Sequence, residues 1–189
     1  MKQLKTNDSD PSLELVVIVD RDNRITGATP RWKMRRDRLI HRASFIIVFR
    51  PEGRLLVQKR TPDKDIYPGL LEIAAGGVVR HGETYKISAL RELQEETGIT
   101  GIDLNFHFDF YFEDDSNRVW GRIFSCIWDG DIKPQKEEVE WGRFLGQDEI
   151  EEGITRGKFT PDSEYLYWLA KERGIIPDYA PRAEKRQSL

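Results

Sequence analysis

Residues 76–99 read GGVVRHGETYKISALRELQEETGI, and no other stretch restricts the fold of this chain as strongly. A glycine-rich loop leads into residues 84–97, where apolar residues recur at helical spacing. Gly98 stops the helix, because glycine readily takes the left-handed conformation of a C-terminal cap. Glu92, Glu95 and Glu96 are spaced i, i+3, i+4. At about 100° per residue they share an arc of roughly 100°, while Ile87, Leu90, Leu93 and Thr97 fall on the other side. Such crowding is costly: two like charges about 6 Å apart repel by on the order of 3 kcal/mol at an effective dielectric of 20. Full exposure to water would relieve it, so Glu-x-x-Glu-Glu alone also fits a solvated acidic face. A divalent cation would turn the repulsion into attraction, and clustered carboxylate oxygens suit a hard ion such as Mg²⁺.

The pattern as a whole favours the cation. It fixes Gly77, Glu83, Arg91, Glu92, Glu95, Glu96 and Gly98, with aliphatic residues at 93 and 99. At roughly 7% per fixed residue, a chance match in one chain is rarer than about one in ten million. The segment resembles the Nudix box, Gly-x5-Glu-x7-Arg-Glu-U-x-Glu-Glu-x-Gly-U with U aliphatic, and matches it at every fixed position. The resemblance implies a loop–helix–loop that binds Mg²⁺ or Mn²⁺. It implies Glu92, Glu95 and Glu96 as ligands, with the Gly77 carbonyl beside them. Glu83 and Arg91 would brace loop against helix by a charge-assisted pair. Members of the fold differ on which glutamate serves as general base.

A second resemblance spans roughly residues 13–173. His41-Arg42-Ala43-Ser44, Leu55 to Arg60, Lys64, Pro68-Gly69, Glu137-Glu138-Val139 and Phe159 to Ser163 look like the isopentenyl-diphosphate-isomerase-like branch of the superfamily. There the positions of Arg60 and Lys64 hold substrate diphosphate, and the position of Glu138 supplies another acid. His41 matches a metal-binding histidine. Two departures matter. The isomerase has a cysteine nucleophile where this chain has Gly76, and a further metal-binding histidine where it has Val78. Cys126 stands far along, on an expected strand, and reads as a small core residue. The resemblance therefore implies a hydrolase on an isomerase-like frame.

Read without the resemblance, Arg60 and Lys64 fit either a phosphate clamp or a charged surface loop. Glu138 fits either a carboxylate near the metal or a solvated stretch shared with Lys136, Glu137 and Glu140. Tyr67, Phe112 and Trp120 fit either base stacking or sheet packing. His41, His81 and His107 form no ligand cluster by spacing.

Along the chain, strands are expected at residues 13–20, 43–49, 54–59, 104–112, 119–128 and 139–145, with a short apolar segment at 70–75. Besides residues 84–97, helices are expected at 30–39, with Thr29 as cap and Pro30 at the first position, at 147–153, and from the Thr160 cap to about residue 173. Strands dominating the middle with helices between and after them indicate an α+β fold, a mixed sheet sandwiched between helices. The expected organisation is an N-terminal extension at 1–40 packed on the core, a catalytic domain at 41–175, and a polar tail at 176–189, within one domain's length.

The 189 residues are 38% hydrophobic and 33% charged, with a net charge of −3. That balance gives no broad field for nucleic acid. No apolar run has membrane-spanning or signal-peptide length, and a single cysteine makes no internal disulfide. The expectation is a cytoplasmic enzyme with a small-molecule diphosphate substrate, no nucleic-acid or membrane partner, and by analogy a homodimer. The activity expected is Mg²⁺-dependent cleavage of a diphosphate bond, in a nucleoside diphosphate-linked or similar small compound. The alternatives are a non-catalytic diphosphate-binding module, which would be expected to have lost a glutamate from the box, and an isomerase, which the missing cysteine opposes.

Overall fold

Strand β3 (His41–Phe49) is apolar almost throughout and is buried on both faces, as a strand at the centre of a covered sheet must be. In the computed structural model, which describes residues 10–177, it is the hub of a nine-stranded mixed sheet. Before it come β1 (Leu15–Val19), β2 (Ile25–Pro30) and a short helix α1 (Arg31–Arg36). After it come β4 (Leu55–Arg60), β5 (Leu71–Glu72), β6 (Ala75–Val78), helix α2 (Tyr85–Thr97), β7 (Asn105–Glu113), β8 (Arg118–Ile127), β9 (Val139–Leu145), and helices α3 (Gln147–Thr155) and α4 (Pro161–Glu172).

One edge of β3 pairs in parallel with β8 over its whole length, from His41 opposite Val119 to Phe49 opposite Ile127. β6 pairs with it antiparallel, placing Ser44 opposite Gly77 and Phe45 opposite Gly76. β1 joins through Ile18 opposite His41, so the N-terminal hairpin continues the sheet. Alternation along the strands then separates two cores. Ile46 and Val48 of β3, Leu56 of β4, and Phe124 and Cys126 of β8 pack with Ala89 and Leu93 of α2. Ile47, Leu55, Val57 and Ile123, one residue out of phase, pack with Ile150 of α3 and Leu166 and Tyr167 of α4. Strands have a side-chain period of two, so each strand feeds both layers. The result is the expected α+β sandwich of sheet between helices. The buried Cys126 thiol is pushed up to about 11 by its apolar surroundings.

Several boundaries differ from expectation. The basic helix begins at Arg31, and its cap position is Pro30, which makes no side-chain capping bond. Thr29 belongs instead to β2, opposite Val16. β2 was not expected: its residues are mostly exposed, so they carry no alternation of buried and exposed positions to signal a strand. The apolar segment at 70–75 divides into β5 and β6, which pair with different partners. The loose start expected at 1–11 and the tail expected at 176–189 lie outside the described residues, except for residues 10, 11, 176 and 177.

Candidate active site

Helix α2 is held at both ends by local chemistry. The Thr84 hydroxyl accepts the Ile87 N–H at 3.2 Å, and Gly98 closes the helix with φ 74° and a bond to the Gln94 carbonyl. Its orientation overturns the simple amphipathic reading. Ile87 and Leu90 are exposed, while Glu92 and Glu96 are only 8% and 2% exposed. The face that packs against the sheet is mixed: Glu92 and Glu96 share it with Ala89, Leu93 and Thr97, while Glu95 is exposed.

Strands, loops and helix ends meet there around a cavity of about 550 Å³, a size suited to a small ligand. Gly76, Gly77, Glu92, Glu95, Arg60, Lys64 and Glu138 all line it. Glu96 lies behind the wall. It accepts the Gly76 N–H at 3.0 Å and stands 3.9 Å from the Lys64 ammonium. Burial pushes its carboxyl up to about 8, against the pull of Lys64. Burial also raises Glu92, and Arg91 opposes it.

Close approach crowds both glycines, by fixed backbone at 76 and by the movable Glu92 carboxylate at 77. A Cβ on Gly77 would meet the Glu92 carboxylate at 2.4 Å. One on Gly76 would lie 2.0 Å from the Ser44 carbonyl oxygen. The backbone at position 76 therefore leaves no room for the cysteine that the isomerase would need.

Arg91 is the electrostatic hub. It forks onto Glu83 through Nε and a terminal nitrogen at 2.8 and 2.9 Å, and reaches Glu92 at 2.6 Å and Glu95 at 3.0 Å. Burial pulls its pKa down, but these carboxylates outweigh it and leave it raised. Glu83 also accepts the Arg80 N–H, so the pair ties the loop to the helix. No three acidic or histidine side chains among the described residues are arranged to hold a metal, since Arg91 draws Glu92 and Glu95 to itself. The donor set nevertheless fits a hard divalent cation: the Glu92 carboxyl oxygens lie against the Gly77 backbone, and among the described residues the five carboxyls Glu83, Glu92, Glu95, Glu96 and Glu138 share only Arg91, Lys64 and, beside Glu95, Arg80.

Lys64 and Glu138 form a 2.5 Å pair across the cavity wall. Burial would raise Glu138, but Lys64 outweighs it and the net shift is downward. Arg60 is turned by a β-bulge between Lys59 and Arg60 in the β4–β9 ladder. Its three nitrogens are engaged, by Glu72 at 2.6 Å and by the Ile66 carbonyl at 3.1 and 2.8 Å.

Sequence reasoning did not single out Glu72, Asp162, Arg31, Arg35 or Asn117, all of which line the cavity. Asp162 is buried at the start of α4, and burial raises its carboxyl to about 6. The one legible hint was the i, i+4 pair of arginines in the basic helix. His41 is buried and neutral: desolvation, with Arg35 nearby, lowers it to about 3. Tyr67 lines the cavity but spends its hydroxyl on Asp114 at 2.6 Å. Trp120 packs against Tyr111, and Phe112 against Tyr165.

A family model described as NUDIX domain matches residues 39–169. An uncharacterized Nudix hydrolase of Yersinia pestis is 44% identical over 167 residues, covering 88% of this chain and 91% of its own. A crystal structure of a Deinococcus radiodurans protein shares the fold with a TM-score of 0.71 at 20% identity, over 82% of this chain and 98% of its own. The NUDIX domain of Shewanella oneidensis NrtR, solved with ADP ribose, does so with a TM-score of 0.57 at 14% identity, over 71% and 86%. These structural likenesses speak for the fold. The sequence match goes further: the chain belongs to the NUDIX family, the Nudix hydrolases, which act on phosphoric anhydride bonds.

Proposed function

We propose that this chain is a Mg²⁺- or Mn²⁺-dependent hydrolase that cleaves the diphosphate bond of a nucleoside diphosphate-linked or similar small organic diphosphate. One observation carries the reading: Glu92 and Glu96, a helical turn apart, are buried at 8% and 2% exposure beside a ligand-sized cavity. Their two cations are shared, Arg91 with Glu83 and Glu95 and Lys64 with Glu138, and carboxyls buried with so little compensation are costly, so a fold keeps them for a use. Glu92, Glu95, Glu96 and the Gly77 carbonyl would hold the cation. When bound, it neutralises phosphate oxygens and lowers the pKa of a water.

The chain's own groups do the rest. Glu83 and Arg91 fix the loop, so that Gly76 and Gly77 stay against the helix. Lys64 lies between Glu96 and Glu138 and offers its donors to phosphate oxygens on the same wall. Arg60 holds Glu72 and the 61–69 loop in place, and Glu138 keeps Lys64 oriented. The isomerase-like resemblance adds no chemistry to this reading, since Gly76 stands at the position of the isomerase nucleophile. ADP ribose bound by the NrtR domain is one ligand of the proposed class that a NUDIX fold holds.

The test is release of phosphate and nucleoside monophosphate from a panel of diphosphates, with and without Mg²⁺, beside Glu96→Gln. The expected result is metal-dependent turnover that falls at least about 100-fold in the variant. Mg²⁺ should also raise the melting temperature of the wild type and not of the variant, by linkage. Tight ligand binding with no turnover on any compound would replace the hydrolase with a binding module.

A further inference from the structure

Arg31 and Arg35 stand one helical turn apart on α1, outside the stretch that the NUDIX model matches. Both line the large cavity. Both rest on a single carboxylate oxygen: Asp65 Oδ2 accepts from Arg31 Nε at 3.3 Å and from Arg35 Nε at 3.0 Å. Arg35 also donates from one terminal nitrogen to Asn117 Oδ1 at 3.1 Å. One anion thus faces two cations whose side chains are only 23% and 16% exposed.

Two partly buried guanidinium pairs elsewhere in this chain are forked. Arg122 uses two nitrogens for the two oxygens of Asp109, at 2.6 and 2.7 Å. Arg91 forks onto Glu83 in the same way. Arg31 and Arg35 give Asp65 only their Nε. Both terminal nitrogens of Arg31 and one of Arg35 have no hydrogen-bond partner among the described residues. Those nitrogens are the part of a guanidinium that matches the oxygens of a phosphate. Their position is braced from behind. Asn117 is 5% exposed, and its N–H is fixed by Asp114, which also takes the Tyr67 hydroxyl. The N-terminal arm, the loop after β4 and the β7–β8 turn converge to hold two open cationic forks in the cavity. Neither arginine touches Glu92, Glu95 or Glu96.

We infer that Arg31 and Arg35 form a second anion subsite, and that the substrate carries a further phosphate besides the diphosphate that is cut. This rests on the diphosphate-hydrolase reading. It makes the N-terminal arm the element that selects among diphosphates, while the glutamate helix supplies what all of them need.

The experiment uses the full chain and two matched probes, NADH and NADPH, which differ by one phosphate remote from the diphosphate. Calorimetric affinity and KM are both measured, so binding is read even if nothing turns over. The wild type is expected to favour NADPH by about tenfold or more, the worth of a charge-assisted contact. Arg31→Gln and Arg35→Gln should each reduce that preference. They should leave kcat and affinity for NADH close to wild type. Equal affinity of the wild type for both probes would overturn the proposal. So would variants that weaken both probes alike, since the arginines would then serve the diphosphate or the fold. Inorganic phosphate is the third probe: binding that needs both arginines, with no NADPH preference, would mean a free-phosphate site and refute the substrate-borne group. If Arg35→Gln does not fold, the wild-type preference and Arg31→Gln decide. Absence of turnover with the NADPH preference intact would defeat the hydrolase reading and leave the subsite standing.

Discussion

Gly76 shows how much chemistry one missing side chain can exclude. Its N–H feeds the Glu96 carboxylate, and the space for its Cβ is filled by the Ser44 carbonyl, 2.0 Å away. Because the obstacle is backbone in a central strand pair, it has no rotamer to move to. Gly76→Ala is expected to cost about 2–4 kcal/mol, by steric strain in a packed sheet. Gly27→Ala in β2, where a Cβ meets nothing within 4 Å, serves as the matched control and should stay within about 0.5 kcal/mol. Urea unfolding midpoints of the two variants check this, and equal midpoints would show that the sheet yields at position 76.

At the scale of elements, α2 works as a part clamped by its own loop. Arg91 gathers Glu83, Glu92 and Glu95 onto one guanidinium, and it also meets the Val78 carbonyl at 3.3 Å. Replacing it with methionine keeps the apolar stem and removes every one of these bonds. Glu92 is then a buried carboxylate without a cation, which costs on the order of 3–5 kcal/mol. Arg91→Met should therefore lose both stability and turnover. Arg91→Lys should recover only part of either, because an ammonium cannot fork onto Glu83 while reaching Glu92. Denaturation midpoints and kcat for the two variants decide it, and full recovery by lysine would mean that charge alone matters. How the helix turns was not readable from its own residues. Ile87 and Leu90 have the right spacing for a core face, yet Tyr85, Ala89 and Leu93 take that place. Periodicity finds the two faces of a helix; what packs on each depends on β3 and β6.

Across the whole molecule, buried groups bend the pH dependence of stability in opposite directions, His41 one way and Asp162 and Glu96 the other. His41 is lowered to about 3, so the unfolded chain binds the proton more readily between about 3 and 6.5, and stability falls as pH falls through that window. Asp162 is raised to about 6 from 3.8, so the folded chain binds the proton more readily between those values, and stability rises as pH falls through them. The slopes are at most about 1.4 kcal/mol per pH unit each and oppose one another. Relative to the wild type, Asp162→Asn should lose stability, and His41→Asn gain it, as pH falls from 6 to 4. Urea titrations from pH 7 to 4 read both, and parallel curves for either variant and the wild type would show that the group does not titrate on unfolding. Both residues line the cavity that β3, the β4 loop and α4 enclose together, which is why a polar interior persists there.

What the amino-acid sequence determined by itself is local. The α2 helix with its Thr84 and Gly98 caps, the strand at 139–145 and the Thr160-Pro161 start of α4 rest on residues within one or two turns of each other. The spacing of Gly77, Glu83, Arg91, Glu92, Glu95 and Glu96 belongs to the same class and identified the family. Tertiary structure alone decided that Glu92 and Glu96 face inward, that Arg60 is committed to Glu72, and that Arg31 and Arg35 join the cavity from the N-terminal arm. It also decided that β2 exists as a strand, pairing with β1 despite its exposed residues. The physical reason is the same in each case. Caps, turns and periodicities are interactions between near neighbours in the chain. The burial of a charge is set by which strand passes behind it, and here that is β3, paired at once with β6 and with β8 some 80 residues away.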